Sequence, residues 1–315
     1  MCYNGQTLFC FAHAILCLKT ASMTQPITLT KYSPEIATLT LNRPERCNAF
    51  SSELLGQFID ALNAFSRDKN LRVVILRGSG KNFCTGLDLA EAAEFTSAEL
   101  IEKSETNDHT WDKELPFQMA FSVSFILTKL CQIPQIIICA PHGYACGGGG
   151  GLVAASDLVV AADDFKIMFP ELKRGLKPTL LFPLLRRRLS NSALRRLVLT
   201  GLPIDAQQAK EFGLVHHVVR PDSLDEMALL LAKEICAGEP ETTRFAKQML
   251  QFPEKDGDLL FQKEMSDAAK QHVKSWYSEA AQEGIRAFLE KRSANWEVFT
   301  TEISQESANS LVSPK

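Results

Sequence analysis

Three short runs, "RVVILRG" (Arg72 to Gly78), "PQIIICAPHG" (Pro134 to Gly143) and "SDLVVAAD" (Ser156 to Asp163), are apolar at nearly every position. They are too short for packed helices and do not alternate with polar residues, so they predict strands covered on both faces. Amphipathic segments lie between them. "SSELLGQFIDALNAFSRD" (Ser51 to Asp68) opens on serine and sets Leu54, Leu55, Phe58, Ile59 and Leu62 at helical spacing. Further helices are expected over about 91–131 and 147–155. Upstream, "ITLTKYSPEIATLTLNRP" splits two β-rich runs at Ser33-Pro34, which predicts a hairpin-like pair. This order of elements predicts an α/β fold with a parallel-rich sheet and right-handed crossovers. From about Ile204 onward the pattern turns helical.

Composition narrows the class. The 315 residues are 45% hydrophobic and 23% charged, enough for a sizeable core, and the net charge of -3 sets up no basic field for nucleic acid. Arg186, Arg187, Arg188, Arg195 and Arg196 are therefore read as a charged helix face. Nine cysteines without any CxxC pair read as reduced thiols of a cytoplasmic protein. The apolar stretch from Thr7 to Lys19 falls short of the roughly 20 residues a membrane span needs, and no membrane role is expected. Residues 1–22 read as an extension outside the core, 23–203 as the core, 204–297 as a helical region, and the polar stretch 298–315 as a disordered tail. No cluster has metal-ligand spacing, and neither a Ser–His–Asp nor a P-loop pattern occurs.

One stretch resists the ordinary reading. "ACGGGGGLVAASD" (Ala145 to Asp157) keeps five consecutive glycines, each costing roughly 0.5–1 kcal/mol against alanine in a regular element. Such a run is kept where the backbone must approach another group closely.

The chain also carries "LNRPERCNAFSSELL", "GKNFCTGLDL", "PHGYACGGGGGLVAASDLVVAADDFKIMFPELKRGL", "LTGLPIDAQQAKEFGLVHHVV" and "EGIRAFLEKRSANW" in this order. The set resembles the signature of the crotonase (enoyl-CoA hydratase/isomerase) family over about residues 25–296. The resemblance implies a ββα-superhelix core of two sheets, a C-terminal helical region that builds a homo-trimer or a dimer of trimers, and an acyl-CoA thioester substrate. Coenzyme A is then part of the substrate, and no separate cofactor is expected.

Such chemistry makes an enolate at the thioester oxygen and needs fixed N–H donors there. The resemblance places them at Thr85 and Gly148, the second of these at a helix N-terminus, where free amides favour negative charge. It places the acid–base group at Glu171 of "MFPELKRG", where burial against apolar side chains would raise the pKa into a useful range. Around the CoA and acyl groups it places Cys47, Ala49, Gly86, Leu87, Asp88, Gly147, Gly151, Phe288 and Lys291. Two departures matter. The first glutamate of typical hydratases falls on Gly151, which cannot carry a proton. After Gly175 the chain reads "LKPTLLFPLLRRR" instead of a glycine-rich turn, and Lys177 there is weighed as a charge for an acidic acyl group against a solvated side chain. Asp88 is read as orienting the oxyanion loop or capping a helix, His142 as structural, and His109 as a remote second acid–base candidate.

The leading expectation is hydration or isomerisation of an enoyl-CoA with Glu171 as the retained carboxyl. Decarboxylation or thioester hydrolysis on the same scaffold, or acyl-CoA binding with weakened catalysis, are the alternatives.

Overall fold

In the computed structural model, which describes residues 25–94, 115–251 and 257–296, the Ser33-Pro34 break turns the chain as the pattern predicts. Ser33 Oγ accepts from the N–H groups of Glu35 and Ile36 at 3.2 Å each. The flanking runs become β1 (Ile27–Lys31) and β2 (Ile36–Leu41), antiparallel, with Ile27 opposite Leu41.

The three apolar runs become β3 (Val73–Gly78), β4 (Ile136–Ala140) and β6 (Leu158–Ala162). They add to β2 in parallel, in the order β1-β2-β3-β4-β6-β9, with β9 (His217–Val219) at the far edge. Their continuous apolar character follows from cover on both faces. Val74, Leu76, Ile137, Cys139, Val159 and Ala161 face a core with α1 (Ser52–Arg67) and α3 (Leu115–Gln132). The alternate residues Val73, Ile75, Ile138, Ala140, Val160 and Ala162 pack on α8 (Leu224–Ala237) through Leu224, Ala228 and Ala232. α1 starts where Ser51 Oγ accepts from Leu54 N–H at 3.2 Å.

A second sheet, in the order β5-β7-β8, consists of β5 (Tyr144–Cys146), β7 (Lys166–Met168) and β8 (Ile204–Asp205). Its strands have two or three residues each, too few for a period to register in sequence. The helical reading beyond Ile204 therefore passed over β8 and β9, which complete the two sheets. Between them lies α7 (Ala206–Glu211), and helices dominate only from α8 onward: α9 (Pro240–Gln251), α10 (Gly257–Trp276) and α11 (Glu279–Leu289). The expected helix over 91–131 is α2 (Leu89–Glu94) and α3, with residues 95–114 outside the described ones. α4 (Gly148–Ala155), α5 (Phe182–Arg188) and α6 (Asn191–Thr200) complete the set.

Candidate active site

β5 and β7 run parallel with Cys146 opposite Met168, so their ends deliver the next residues to one place. Gly147 follows β5 and Glu171 follows β7 by way of Phe169-Pro170, while Gly147 N–H donates to Met168 O at 3.0 Å. Gly147 turns the chain from strand to helix at φ 51° and ψ −119°, a conformation open to glycine and hostile to residues with a Cβ. The four glycines after it form the first turn of α4.

Each glycine of the run abuts a different neighbour. A Cβ on Gly147 would lie 3.1 Å from Glu171 Oε1, and one on Gly148 2.9 Å from the Phe50 ring. On Gly149 it would strike the carbonyl of Cys84, and on Gly150 it would lie 2.7 Å from Phe169. On Gly151 it would lie 2.8 Å from Leu181 and 3.0 Å from Leu127. The run is bare because backbone, ring and carboxylate press on α4 from all sides, at densities that leave no space for a methyl group.

The other wall is the loop around Gly86. Phe50 N–H donates to Gly86 O at 2.7 Å and Asp88 N–H to Phe50 O at 3.0 Å, a parallel bridge that flanks Leu87. In such a bridge the middle residue's own N–H points away from its partner. The N–H of Leu87 meets no acceptor among the described residues, and neither does that of Gly148. Gly86, at φ 82°, brings the two together: a Cβ there would lie 3.1 Å from Gly148 N and 2.8 Å from Cys146 O. Thr85, expected as a donor, is committed elsewhere. Its N–H and hydroxyl both donate to Cys47 O, at 3.2 and 3.3 Å. The alternation of the bridge puts the available amide two residues further on, at Leu87.

Glu171 opens a 3-10 turn, Glu171–Arg174, and its side chain is almost wholly buried. Burial pushes its carboxyl up to about 7, although the nearby Arg174 guanidinium pulls the other way. Oε2 is buried and accepts no hydrogen bond from the described residues. The carboxyl is thus held against Gly147 with one oxygen left unengaged by the described residues.

The remaining sequence candidates sort clearly. Asp88 is buried and paired with Arg46 at 3.0 Å and Arg43 at 3.3 Å, so it pins the Gly86 loop to the 43–46 turn. Cys47 (φ 50°) and Ala49 belong to that same turn: Cys47 Sγ accepts from Asn82 Nδ2 at 3.3 Å and Ala49 O from Arg43 at 2.6 Å. His142 holds Gly80 O at 2.9 Å, a structural role. Lys177 is exposed, and only its backbone is engaged, with Ser275 and His272. His109 lies outside the described residues. α11 packs on the Glu171–Arg174 turn and on α2 of its own chain, and Phe288 lies against Arg174 at 4.3 Å. Lys291, past the end of α11, is exposed.

Two residues escaped the sequence reading. Asn48 is fully buried at φ 54°; its Oδ1 accepts from Arg43 N–H at 2.8 Å, and its Nδ2 donates to Ser79 O and Asn82 O at 2.8 Å each. It ties the 43–49 turn to the 79–82 segment, and its only signal was its place inside "NRPERCNAF". Arg174 gave no signal at all, because a lysine–arginine pair in a loop ordinarily reads as solvated.

The family model for enoyl-CoA hydratase/isomerase matches residues 31–298. A putative enoyl-CoA hydratase of Thermus thermophilus is 32% identical, over 82% of this chain and 95% of that protein. The 1,2-epoxyphenylacetyl-CoA isomerase of Escherichia coli is 31% identical, over 82% and 93%. Among solved structures, an enoyl-CoA hydratase from Mycobacterium avium superposes with a TM-score of 0.72 at 28% identity, covering 87% of this chain and all of that one.

Proposed function

The chain belongs to the enoyl-CoA hydratase/isomerase family, and on that premise we propose that it shifts the double bond of an enoyl-CoA with Glu171 as its proton carrier. It is an enzyme of the hydratase/isomerase type acting on acyl-CoA thioesters. In this reading the N–H groups of Leu87 and Gly148 receive the thioester oxygen, where negative charge grows as a proton leaves C2. Glu171 takes that proton and returns it at C4. A carboxyl poised near 7 suits both halves of the exchange at neutral pH.

The observation that carries this reading is the surroundings of Gly151. The first glutamate of a typical hydratase would stand there, and the space is filled by Leu181 and Leu127. Hydration ordinarily uses one group to hold water and another to deliver the proton; isomerisation needs one carboxyl.

The substrate supplies its own coenzyme A, and the reading requires no other cofactor. Cys47, Ala49 and Lys291 are its proposed CoA contacts, with Lys291 free to meet a phosphate. For assembly we take a homo-oligomer, trimer or dimer of trimers, supported by the exposed Phe245, Met249, Leu250, Leu259 and Leu260 on α9 and α10. A cytoplasmic site is supported by the free thiols of Cys47, Cys84, Cys131, Cys139, Cys146 and Cys236. No helix among the described residues is long and apolar enough to cross a membrane.

The test is turnover of 3-enoyl-CoA and 2-enoyl-CoA substrates in deuterated water by wild type and Glu171→Gln. Isomerisation gives the shifted alkene with partial deuterium uptake, and Glu171→Gln lowers kcat by about 10²–10⁴-fold with KM little changed. A 3-hydroxyacyl-CoA product would reassign the enzyme to hydration; equal rates in both proteins would remove Glu171 from the mechanism.

A further inference from the structure

Glu171 and Arg174 stand three residues apart in a 3-10 turn, where side chains at this spacing eclipse one another. Arg174 is half-buried, and its Nη1 donates to Pro170 O at 3.3 Å while its Nε is buried without a hydrogen-bond partner. Among the described residues no carboxylate lies within ion-pair distance of it, and Glu171 is the carboxyl whose charge acts on it. Its other face lies on the Phe288 ring, 4.3 Å from the centroid, a cation–π contact.

Phe288 reaches this place because α11 lies unusually close to the turn. A Cβ on Gly284 would strike the backbone of Arg174, and one on Gly175 would strike the carbonyl of Ala280. The two glycines thus let helix and turn meet backbone to backbone. Beside them is a cavity of about 210 Å³ lined by Met168, Pro170, Gly284, Ala287, Phe288 and Arg292 along with Arg174, so the guanidinium has room to swing away once the ring is shortened.

We propose that Arg174 is a positioning residue that sets the charge state of the Glu171 carboxyl, and that Phe288 holds it there on behalf of α11. The inference rests on Glu171 being the acid–base group. A cation held beside a buried carboxyl favours the ionised form, and Arg174 is the charged side chain that opposes the effect of burial on Glu171. Facing the pair from β5 is Cys146, whose thiol burial pushes up to about 11, so it is neutral at working pH. Beyond α11, Arg292 lines the same cavity and is already bound to Glu283 and Glu290. Lys173, on the turn itself, is exposed. α11 would then reach the chemistry through one guanidinium.

The experiment follows the Glu171 carboxyl directly, by isotope-edited infrared titration with the band assigned by its loss in Glu171→Gln, alongside the pH profile of kcat/KM. In Arg174→Met both midpoints move upward by about 0.5–1 unit, and in Arg174→Lys they return towards wild type. Phe288→Leu moves them in the same direction by less, and adds nothing to Arg174→Met, because both act through one contact. An unmoved carboxyl midpoint in Arg174→Met overturns the proposal, as does a Phe288→Leu shift that adds in full. Should Arg174→Met fail to fold, an unmoved midpoint in Phe288→Leu overturns it alone. A carboxyl midpoint that moves while the rate profile stays fixed leaves the role of Arg174 standing and removes Glu171 from catalysis.

Discussion

Gly147 and Glu171 meet closely: a Cβ on the glycine would sit 3.1 Å from the carboxylate oxygen Oε1, tighter than an ordinary van der Waals contact. The pairing follows from strand register, since Cys146 lies opposite Met168 and each strand end leads straight into its half of the contact.

Gly147→Ala combines that encroachment with a backbone at φ 51° and ψ −119°, and strain of this kind costs about 1–3 kcal/mol. It is expected to lower both melting temperature and kcat. Gly213→Ala separates the two effects. Gly213 has φ 82° and nothing within 4 Å of a new Cβ, so it should lose stability while activity per folded molecule stays at the wild-type level. Thermal melts and turnover on the same preparations decide it.

The donor assignment separates Thr85 from Gly148. Thr85 gives its N–H and hydroxyl to Cys47 O, so Thr85→Ala should keep most of the turnover. Gly148→Val forces branched carbon into a space 2.9 Å from the Phe50 ring and should abolish it. Wild-type turnover in Gly148→Val would take the oxyanion site away from α4.

Restoring a carboxylate at position 151 meets apolar packing. Gly151→Glu drives its side chain at Leu181 and Leu127, and overpacking of this kind costs typically about 1–3 kcal/mol, with a further penalty for burying the charge. The variant should melt earlier and gain no hydratase rate. Gly151→Glu with Leu181→Ala should recover part of the stability, which a melt series measures.

The buried carboxyl also leaves a signature in stability. The Glu171 pKa rises on folding from 4.5 to about 7. Below pH 4.5 both folded and unfolded chains hold the proton. Between about 4.5 and 7 the unfolded chain releases it first, so stability falls as pH rises, and above 7 the whole contribution is gone. The loss is on the order of 3 kcal/mol. Denaturant melts from pH 4.5 to 8 should show wild type declining relative to Glu171→Gln; parallel curves would mean an ordinary, solvated carboxyl.

Lys247 fastens α9 beneath the sheet. Its ammonium donates to Leu130 O at 3.0 Å and Gln135 O at 2.8 Å, and pairs with Asp157 at 2.8 Å, with 4% of the side chain exposed. Lys247→Met should cost roughly 3 kcal/mol, because it strands two carbonyls and a partly buried carboxylate. The exposed pair Lys31–Asp68 is the contrast: Lys31→Met should leave stability nearly unchanged. Urea unfolding of the two variants provides the comparison.

Much of the fold was written locally. Val73–Gly78, Ile136–Ala140 and Leu158–Ala162 are apolar at nearly every position because both faces of their sheet are covered, and α1 carries its stripe within its own residues and its cap on the residue before them. The five glycines, and Glu171 behind Phe169-Pro170, likewise marked a crowded site with a carboxyl close by. Strands of two or three residues, such as β8 and β9, have no period to read, so their membership of the sheets appeared only in the fold. The donor at Leu87 in place of Thr85 depends on which N–H a bridge to Phe50 leaves unused, and no side-chain pattern encodes that direction. Arg174 is held by Phe288, more than a hundred residues away, and acts by its charge on Glu171 of its own turn. Sequence determines what each segment can become through its own periodicity and turn chemistry; which amide stays free and which charge ends up buried is decided by contacts between segments, and these exist only once the chain has packed.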